Sequence, residues 1–537
     1  MLNNVSYSKI TNNLTRKSDY MINNWVIPRN KRILNPANEI LALYNWLVVG
    51  QIWNGDTNLQ LEFEDALERF NLKNPGNRRD GRAGGARTYE SWLLNLGLIF
   101  KETDTNIQRL TLSGEQLING TQLPGHLLTH QLLKLQYPSV YSTRTRVQVH
   151  ARFNIRPFRF LLRLLNDTRI QSLNKREIGR FVLTEAENES VDCFEHVVQR
   201  ILDYRAHGDA ILPSNFPQLY QSSTSGIRTI EKTIEALEDN ANVFITYLGI
   251  TQLIVQTVFN RLTYISLDPA HISEVQAILN DGSTLRILDT TNTYGPENFQ
   301  RNYGLGIGQT RDNRTFRQQT LTSTNYRENR IRAEFTHLSM NQPISQVTPQ
   351  IISTISNATG YSHSQVTDVL QRIPLNSLSV FEQNYLNMAR SGTSLATEFE
   401  RATAAIFEEF EFNSQHVGPQ PLHPDIYVEN RGFRGIIDTK AYHAYPLRND
   451  NKNTMINNYI PTYHSGTRQL NFYMYVANGF GPNVQTQMQD ITNRTGVPGV
   501  AITAQALLSL LREFQAGNRT LNDLEIMFTS NTVISII

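Results

Sequence analysis

The segment His423 to Tyr442, HPDIYVENRGFRGIIDTKAY, places Asp425, Asp438 and Lys440 where two short strands would end. IYV and GII read as β-strands joined by the turn ENRG, with Asp425 before the first and Asp438 at the end of the second. Lys440 follows Asp438 by two residues, and the two-residue repeat of a strand sends both side chains to one face. Two carboxylates brought to one point suit a hard cation such as Mg²⁺, which takes one or two protein oxygens and leaves room for substrate phosphate. Such a cation would acidify a bound water and neutralise a scissile phosphate, while the lysine orients or deprotonates that water, or stabilises the added negative charge. The lysine is conspicuous: the chain has 10 lysines and 40 arginines, and from residue 233 onward only Lys440 and Lys452 are lysines. A compact, pKa-adjustable ammonium is not replaced by a planar guanidinium.

Elements able to position these groups are read from composition and periodicity. The 537 residues allow two to four domains, each large enough to bury a core. A single cysteine, Cys193, fits a reducing compartment better than a secreted disulfide scaffold, no signal peptide is evident, and no stretch approaches the roughly 20 apolar residues of a membrane span. The formal charge of +2 averages over opposites. Three blocks, Lys73 to Arg87, Arg144 to Arg180 and Arg301 to Arg332, hold 22 basic and 5 acidic residues, so the rest of the chain carries a net −15. Basic stripes of this kind are what nucleic-acid phosphates require, although a single run is usually a solvated face.

Helices are expected over residues 38 to 52, over 60 to 71, and from Thr88 as N-cap to Gly97. LGLIF and IQRLTLSGEQLI follow as a hairpin, and three helices then a hairpin is the order of a winged helix. In that reading Arg78, Arg79, Arg82, Arg87 and Glu90 face DNA, and Arg109 lies on the wing. Arg144, Arg146, Arg314 and Arg317 supply further candidate DNA contacts from the other two blocks. A second unit has a helix after Pro157, Asn174 as a cap and a helix ending at Gly208. A third has helices at TIEKTIEALEDN and GITQLIVQTVFNRL, then the strand TYISL. The expected organisation is multidomain α+β: a region at 1–345 with winged-helix-like units at about 36–122, 150–210 and 225–340, a connector at 346–385, and a domain at 386–537 carrying Asp425, Asp438 and Lys440.

Pro424-Asp425, a spacer, and Asp438-Thr439-Lys440 resemble the PD-(D/E)XK nuclease motif, and the pentapeptide from Asp438 to Tyr442 is similar to the cleavage domain of FokI-type type IIS restriction endonucleases. The similarity continues through Met455, Tyr459, the run NFYMYVANGF and Leu521 to Glu525. More loosely, ARTY and LTLSGEQL are similar to the recognition regions of FokI- and AlwI-type enzymes. The resemblance implies DNA recognition by the region at 1–345 and a nuclease at 386–537, the latter an α/β/α domain with a mixed central sheet, with Asp425 and Asp438 as metal ligands, Lys440 in catalysis and the Thr439 carbonyl as a further ligand. It also implies a glutamate from the preceding helix, where Glu398, Glu400, Glu408 and Glu409 are available and Glu400 is favoured. His423 reads as a surface histidine and Tyr442 as packing. The implied activity is Mg²⁺-dependent cleavage of double-stranded DNA, with Mn²⁺ able to substitute, at a fixed distance from a short asymmetric site. A bacterial cytoplasm, a cognate DNA methyltransferase, and a monomer that dimerises transiently on DNA or joins a second subunit complete that expectation. One departure stands out: Asn453 and Asn458 occupy the positions of an Asp and an Arg that pair across the family's dimer interface. A strand-specific nicking enzyme or the large subunit of a heterodimeric enzyme is therefore the alternative, with a non-catalytic DNA-binding protein as the competing class.

Overall fold

The computed structural model describes residues 21–28, 37–73, 83–122, 124–144, 147–220, 229–259, 262–316, 322–344, 346–373, 377–420, 422–442, 444–464, 466 and 469–535. The chain divides into two compact units, one drawn from Met1–Ile33, Leu47–Gln116 and Gly125–Thr320, the other from Leu34–Trp46, Leu117–Pro124 and Leu321–Ile537.

In the first unit, the helix Thr57–Arg69 opens on Asp56, whose carboxylate accepts from Leu59 N at 2.9 Å. The next helix, Gly84–Asn95, begins a turn before the expected cap: the Thr88 hydroxyl donates back to the Gly84 carbonyl from inside the helix. It ends as anticipated at Gly97, with φ +70°, a left-handed conformation that glycine adopts without strain. β1 (Ile99–Lys101) then pairs antiparallel with β2 (Gln108–Leu110). The residues corresponding to the first expected helix, Ala37–Leu47, group largely with the second unit.

Farther along, β3 (Ser172–Asn174), β4 (Ile254–Phe259) and β5 (Leu262–Leu267) form an antiparallel sheet in the order β3-β5-β4. Asn174 caps the following turn in a reciprocal capping box with Glu177, and the helix Val191–His207 ends at Gly208, as expected. One expectation is overturned. The segment read as a second helix after Ile230–Ile250 contains β4, because Ile254, Val255 and Thr257 crowd β-branched side chains that suit a pleated strand.

The second unit is built on a six-stranded mixed sheet. Its strands are β6 (Asn413–His416), β7 (Ile426–Asn430), β8 (Phe433–Thr439), β9 (Phe472–Ala477), β10 (Gly499–Thr503) and β11 (Val533–Ile534), in the order β11-β10-β9-β8-β7-β6. The β6–β7 and β7–β8 pairs are antiparallel, and the other neighbours are parallel. Period-two alternation divides the strands between two cores. Ile426, Val428, Ile437, Phe472, Met474 and Val476 pack with helix residues Phe399, Ile406, Phe407, Leu507 and Leu511 on one face. Ile436, Tyr473, Tyr475 and Ala501 pack with Met455, Ile460, Met488 and Ile491 on the other. Helices thus cover both faces of the sheet. The helix Ser377–Ala389 adds Phe381, Tyr385 and Met388 to the first of these cores.

Candidate active site

The turn that carries the motif follows from two residues. Arg431 and Gly432 have φ of +48° and +90°, and Asn430 pairs with Phe433 across a two-residue hairpin loop, the type of turn that matches strand twist. Register then does the positioning. Ile426 opposes Ile437, so Asp425 lies across from Asp438, while Asp438 lies beside Tyr475 on β9. The backbone beyond β8 stays tied to the sheet, since Lys440 N donates to the Val476 carbonyl at 2.7 Å.

The three expected groups are brought together. Lys440 Nζ lies 2.7 Å from Asp438 Oδ2. Asp438 is only 3% exposed, and its second oxygen, Oδ1, is buried without a hydrogen-bond partner. Asp425 Oδ2 accepts from the Thr439 backbone N at 2.6 Å and from its hydroxyl at 3.0 Å. Burial, followed by repulsion from Asp438 and Glu400, pushes the Asp425 carboxyl up to about 8. Burial alone would lower the Lys440 ammonium, but Asp438 and Asp425 raise it well above its ordinary value. The lysine is thereby held as a cation between two acids.

Glu400, on the helix Ala396–Glu409, is held by His416 on β6, with Nε2 and Oε2 2.6 Å apart. Its carboxylate borders Gly418, where a Cβ would lie 3.0 Å from Glu400 Oε2 and 3.3 Å from Asp425 Cα. Of the other acids on that helix, Glu398 and Glu408 are exposed and Glu409 accepts from Gln515. His423 pairs with the Tyr463 hydroxyl at 2.6 Å, and Tyr442, 52% exposed, stacks on Tyr445.

Three tyrosines given no role at the site by the sequence, although the family similarity includes Tyr459, surround the acids. Tyr445 and Tyr475 have ring centroids 5.9 Å apart, and both hydroxyls are buried without partners. Burial pushes Tyr459 up to about 12, and Asp438 acts in the same sense. The signal was present in FYMYVA, whose alternation puts Tyr473 and Tyr475 on the face shared with Asp438.

A hard divalent cation fits this donor set. An orphaned buried carboxylate oxygen on Asp438 and a second carboxyl whose ionisation is opposed by its neighbours are both relieved by a cation between them. Among the described residues no three His, Cys, Asp or Glu side chains converge as a metal-holding group. Two carboxylates suit an ion that uses one or two protein carboxylates and fills its shell with water and substrate.

The expected DNA contacts have other environments. Arg78, Arg79, Arg82, Arg146 and Arg317 lie outside the described residues. Arg87 Nη1 donates to Gln60 Oε1 at 3.3 Å. Arg109 is 5% exposed, paired with Glu102 at 3.1 Å and set over the Phe316 ring. Glu90 is buried and grips Arg144 through both oxygens, at 2.7 and 2.9 Å. Arg314 is paired with Asp312 and Glu115. The structure thus departs from the expectation for Glu90 and Arg109: each is buried by packing and neutralised by an internal partner, so neither presents its charge to solvent.

Residues 360–535 match the family model "FokI, cleavage domain", and residues 94–356 match that of "AlwI restriction endonuclease". Solved structures of restriction endonuclease FokI, alone and bound to DNA, are similar at 13% and 11% identity, with TM-scores of 0.29 and 0.27. Each comparison covers 96% of this chain and 100% of the other. No curated protein matches the chain.

Proposed function

The chain belongs to the type IIS restriction endonucleases, and from that premise we propose that Asp425, Asp438 and Lys440 form its Mg²⁺-dependent phosphodiesterase centre. The observation that carries this reading is Asp438, which holds Lys440 through Oδ2 and keeps Oδ1 buried and unpartnered beside Asp425. Asp425 and Asp438 would hold the ion, with the Thr439 carbonyl and Glu400 as further candidate ligands and Mn²⁺ as a substitute. When bound, the ion neutralises charge on the scissile phosphate and acidifies the attacking water. Thr439 fixes one oxygen of Asp425 through its N–H and hydroxyl, which orients the carboxyl. Lys440, kept protonated by its two acids, donates hydrogen bonds to the water or to the phosphoryl oxygen on which charge develops.

DNA binding belongs in this reading to the amino-terminal region, with winged-helix-like modules that include the β1–β2 hairpin and with cleavage at a fixed distance from the bound site. A cognate DNA methyltransferase and a bacterial cytoplasm follow from the same class of enzyme. No helix among the described residues is long and apolar enough to cross a membrane.

The test is plasmid cleavage in Mg²⁺. Wild-type protein is expected to convert supercoiled DNA to linear product, and Asp438→Ala and Lys440→Ala to abolish strand breakage. Breaks that persist undiminished in either variant would sink the assignment. A second reading, strand-specific nicking or dependence on another subunit, is favoured by Asn453 and Asn458 standing in place of a charge pair. Open-circular DNA accumulating without linear product would select it, and a total lack of breaks with retained DNA binding would select the non-catalytic alternative.

A further inference from the structure

Among the described residues, most basic side chains of the first unit are paired with internal acids, as Arg109, Arg144, Arg156, Arg159, Arg180 and Arg314 illustrate. His130, Lys134 and Arg286 are not. His130 and Lys134 lie one turn apart on the helix Pro124–Lys134. Lys134 Nζ donates to the carbonyls of Tyr303 and Leu305, at 2.9 and 2.6 Å, at the end of the helix Gly295–Tyr303. Arg286 Nε donates to Asn302 Oδ1 at 3.3 Å, so the two cations are anchored on consecutive residues. Gln136 clamps the backbone of Arg286 from both sides, accepting from its N and donating to its carbonyl, each at 2.8 Å. The site is therefore built rather than incidental.

The full charge it carries at neutral pH, on Arg286, is uncompensated. Among the described residues no carboxylate forms an ion pair with any of the three. Burial, then repulsion from Lys134 and Arg286, pushes His130 down to about 4. Burial and Arg286 push Lys134 down to about 6, against the opposing pull of the two helix-end carbonyls. Arg286 is lowered in turn, by burial and then by Arg156. Capping a helix C-terminus requires only Lys134 and leaves the clamped Arg286 without a purpose. Arg286 commits one of its five donors and a protonated Lys134 two of its three, so N–H groups remain for a ligand, most of them on Arg286. All three side chains are half-buried and reachable from solvent. At about 4 and about 6, His130 and Lys134 are largely uncharged at neutral pH beside the charged Arg286, and an anion docked there favours their protonation.

We propose that His130, Lys134 and Arg286 form a docking site for one backbone phosphate of duplex DNA. The proposal rests on the reading that this chain binds DNA, and it concerns positioning rather than sequence readout.

The test is the salt dependence of binding of the full chain to a fluorescein-labelled duplex, followed by anisotropy in Ca²⁺ to prevent cleavage. Losing one phosphate contact makes the slope of log K against log salt shallower by about 0.9. Arg286→Gln is expected to show that change with an unaltered thermal midpoint, and Arg286→Lys, which keeps the charge, to retain the wild-type slope. Lys232→Gln, on an exposed helix position, is expected to leave the slope unchanged. A native Arg286→Gln protein with the wild-type slope overturns the proposal, as does an equal change in Lys232→Gln. Loss of slope in both Arg286 variants assigns the residue to the fold and also overturns it. If inorganic phosphate stabilises wild-type protein but not Arg286→Gln while their DNA slopes agree, the site serves a free anion and not the duplex. Wild-type protein that binds no duplex removes the DNA reading itself, an outcome distinct from wild-type binding with an unaffected variant.

Discussion

Two buried phenols beside Asp438 lack hydrogen-bond partners, and each such unmade bond costs about 1–3 kcal/mol. Tyr475 is fully buried beside Asp438, and removing its hydroxyl leaves a phenylalanine that the apolar surroundings accept. If the hydroxyl serves to orient Asp438 once the site is filled, stability and activity must move in opposite directions. Tyr475→Phe is therefore expected to raise the thermal midpoint of the metal-free protein while lowering kcat by about 10–100-fold, the range for outer-shell partners of metal ligands. KM for DNA should not change. Calorimetry in EDTA together with steady-state cleavage checks both signs, and a lowered midpoint with intact kcat would make Tyr475 a packing residue only. At this scale the sequence was most legible where spacing alone decides geometry. Asp438 and Lys440 share a face because they are two apart on a strand. The grip of His416 on Glu400 was not legible, since it joins a helix to a strand sixteen residues later and depends on how the two pack.

Strand β8 has to bring Gly435, Ile436, Ile437 and Asp438 past β9 in one register, and Gly435 sets how closely the two can lie. A Cβ on Gly435 would fall within the ring of Phe472, its partner in the parallel pair. Phe472 is itself fully buried, stacked on Phe433 with centroids 5.3 Å apart and packed against Phe528 at 5.2 Å. Gly435→Val is thus an overpacking change, which costs about 1–3 kcal/mol, and it acts on the strand that carries Asp438. It should lower the midpoint of this unit by several degrees and reduce cleavage more than its stability loss alone requires. Circular dichroism melting alongside plasmid cleavage separates the two effects, and wild-type rates would show that the register of β8 is unaffected. The β7–β8 hairpin was readable because alternation and a two-residue turn agree. β4 was misread because a short apolar run fits helix and strand alike, and its pairing with β5 lies outside any local pattern.

For the whole molecule, the net charge of +2 conceals two separate arrangements of charge. In the first unit many described cations of the basic blocks are paired internally, some with acids from distant sequence: Glu90 reaches Arg144 and Glu115 reaches Arg314. No count of charges along the chain could reveal pairs made only by folding. The second unit gathers like charges instead, and that sets its pH response. Asp425 binds its proton with a folded-state pKa of about 8, against about 3.9 for an unfolded aspartate. Between those values the folded state holds more protons than the unfolded one, so this contribution is complete below about 4 and is lost as pH rises through 8. Because the units have separate cores, calorimetry of the metal-free chain should resolve two transitions, of which one falls with pH across that window. Asp425→Asn removes the titration while keeping an oxygen to accept from Thr439, so it should flatten that dependence and leave the other transition in place. Mg²⁺ at pH 8 should raise the same transition in the wild type and not in Asp425→Asn. A transition that rises with pH in EDTA, or an Mg²⁺ shift that survives the substitution, would mean that Asp425 is not the group whose charge the cation compensates.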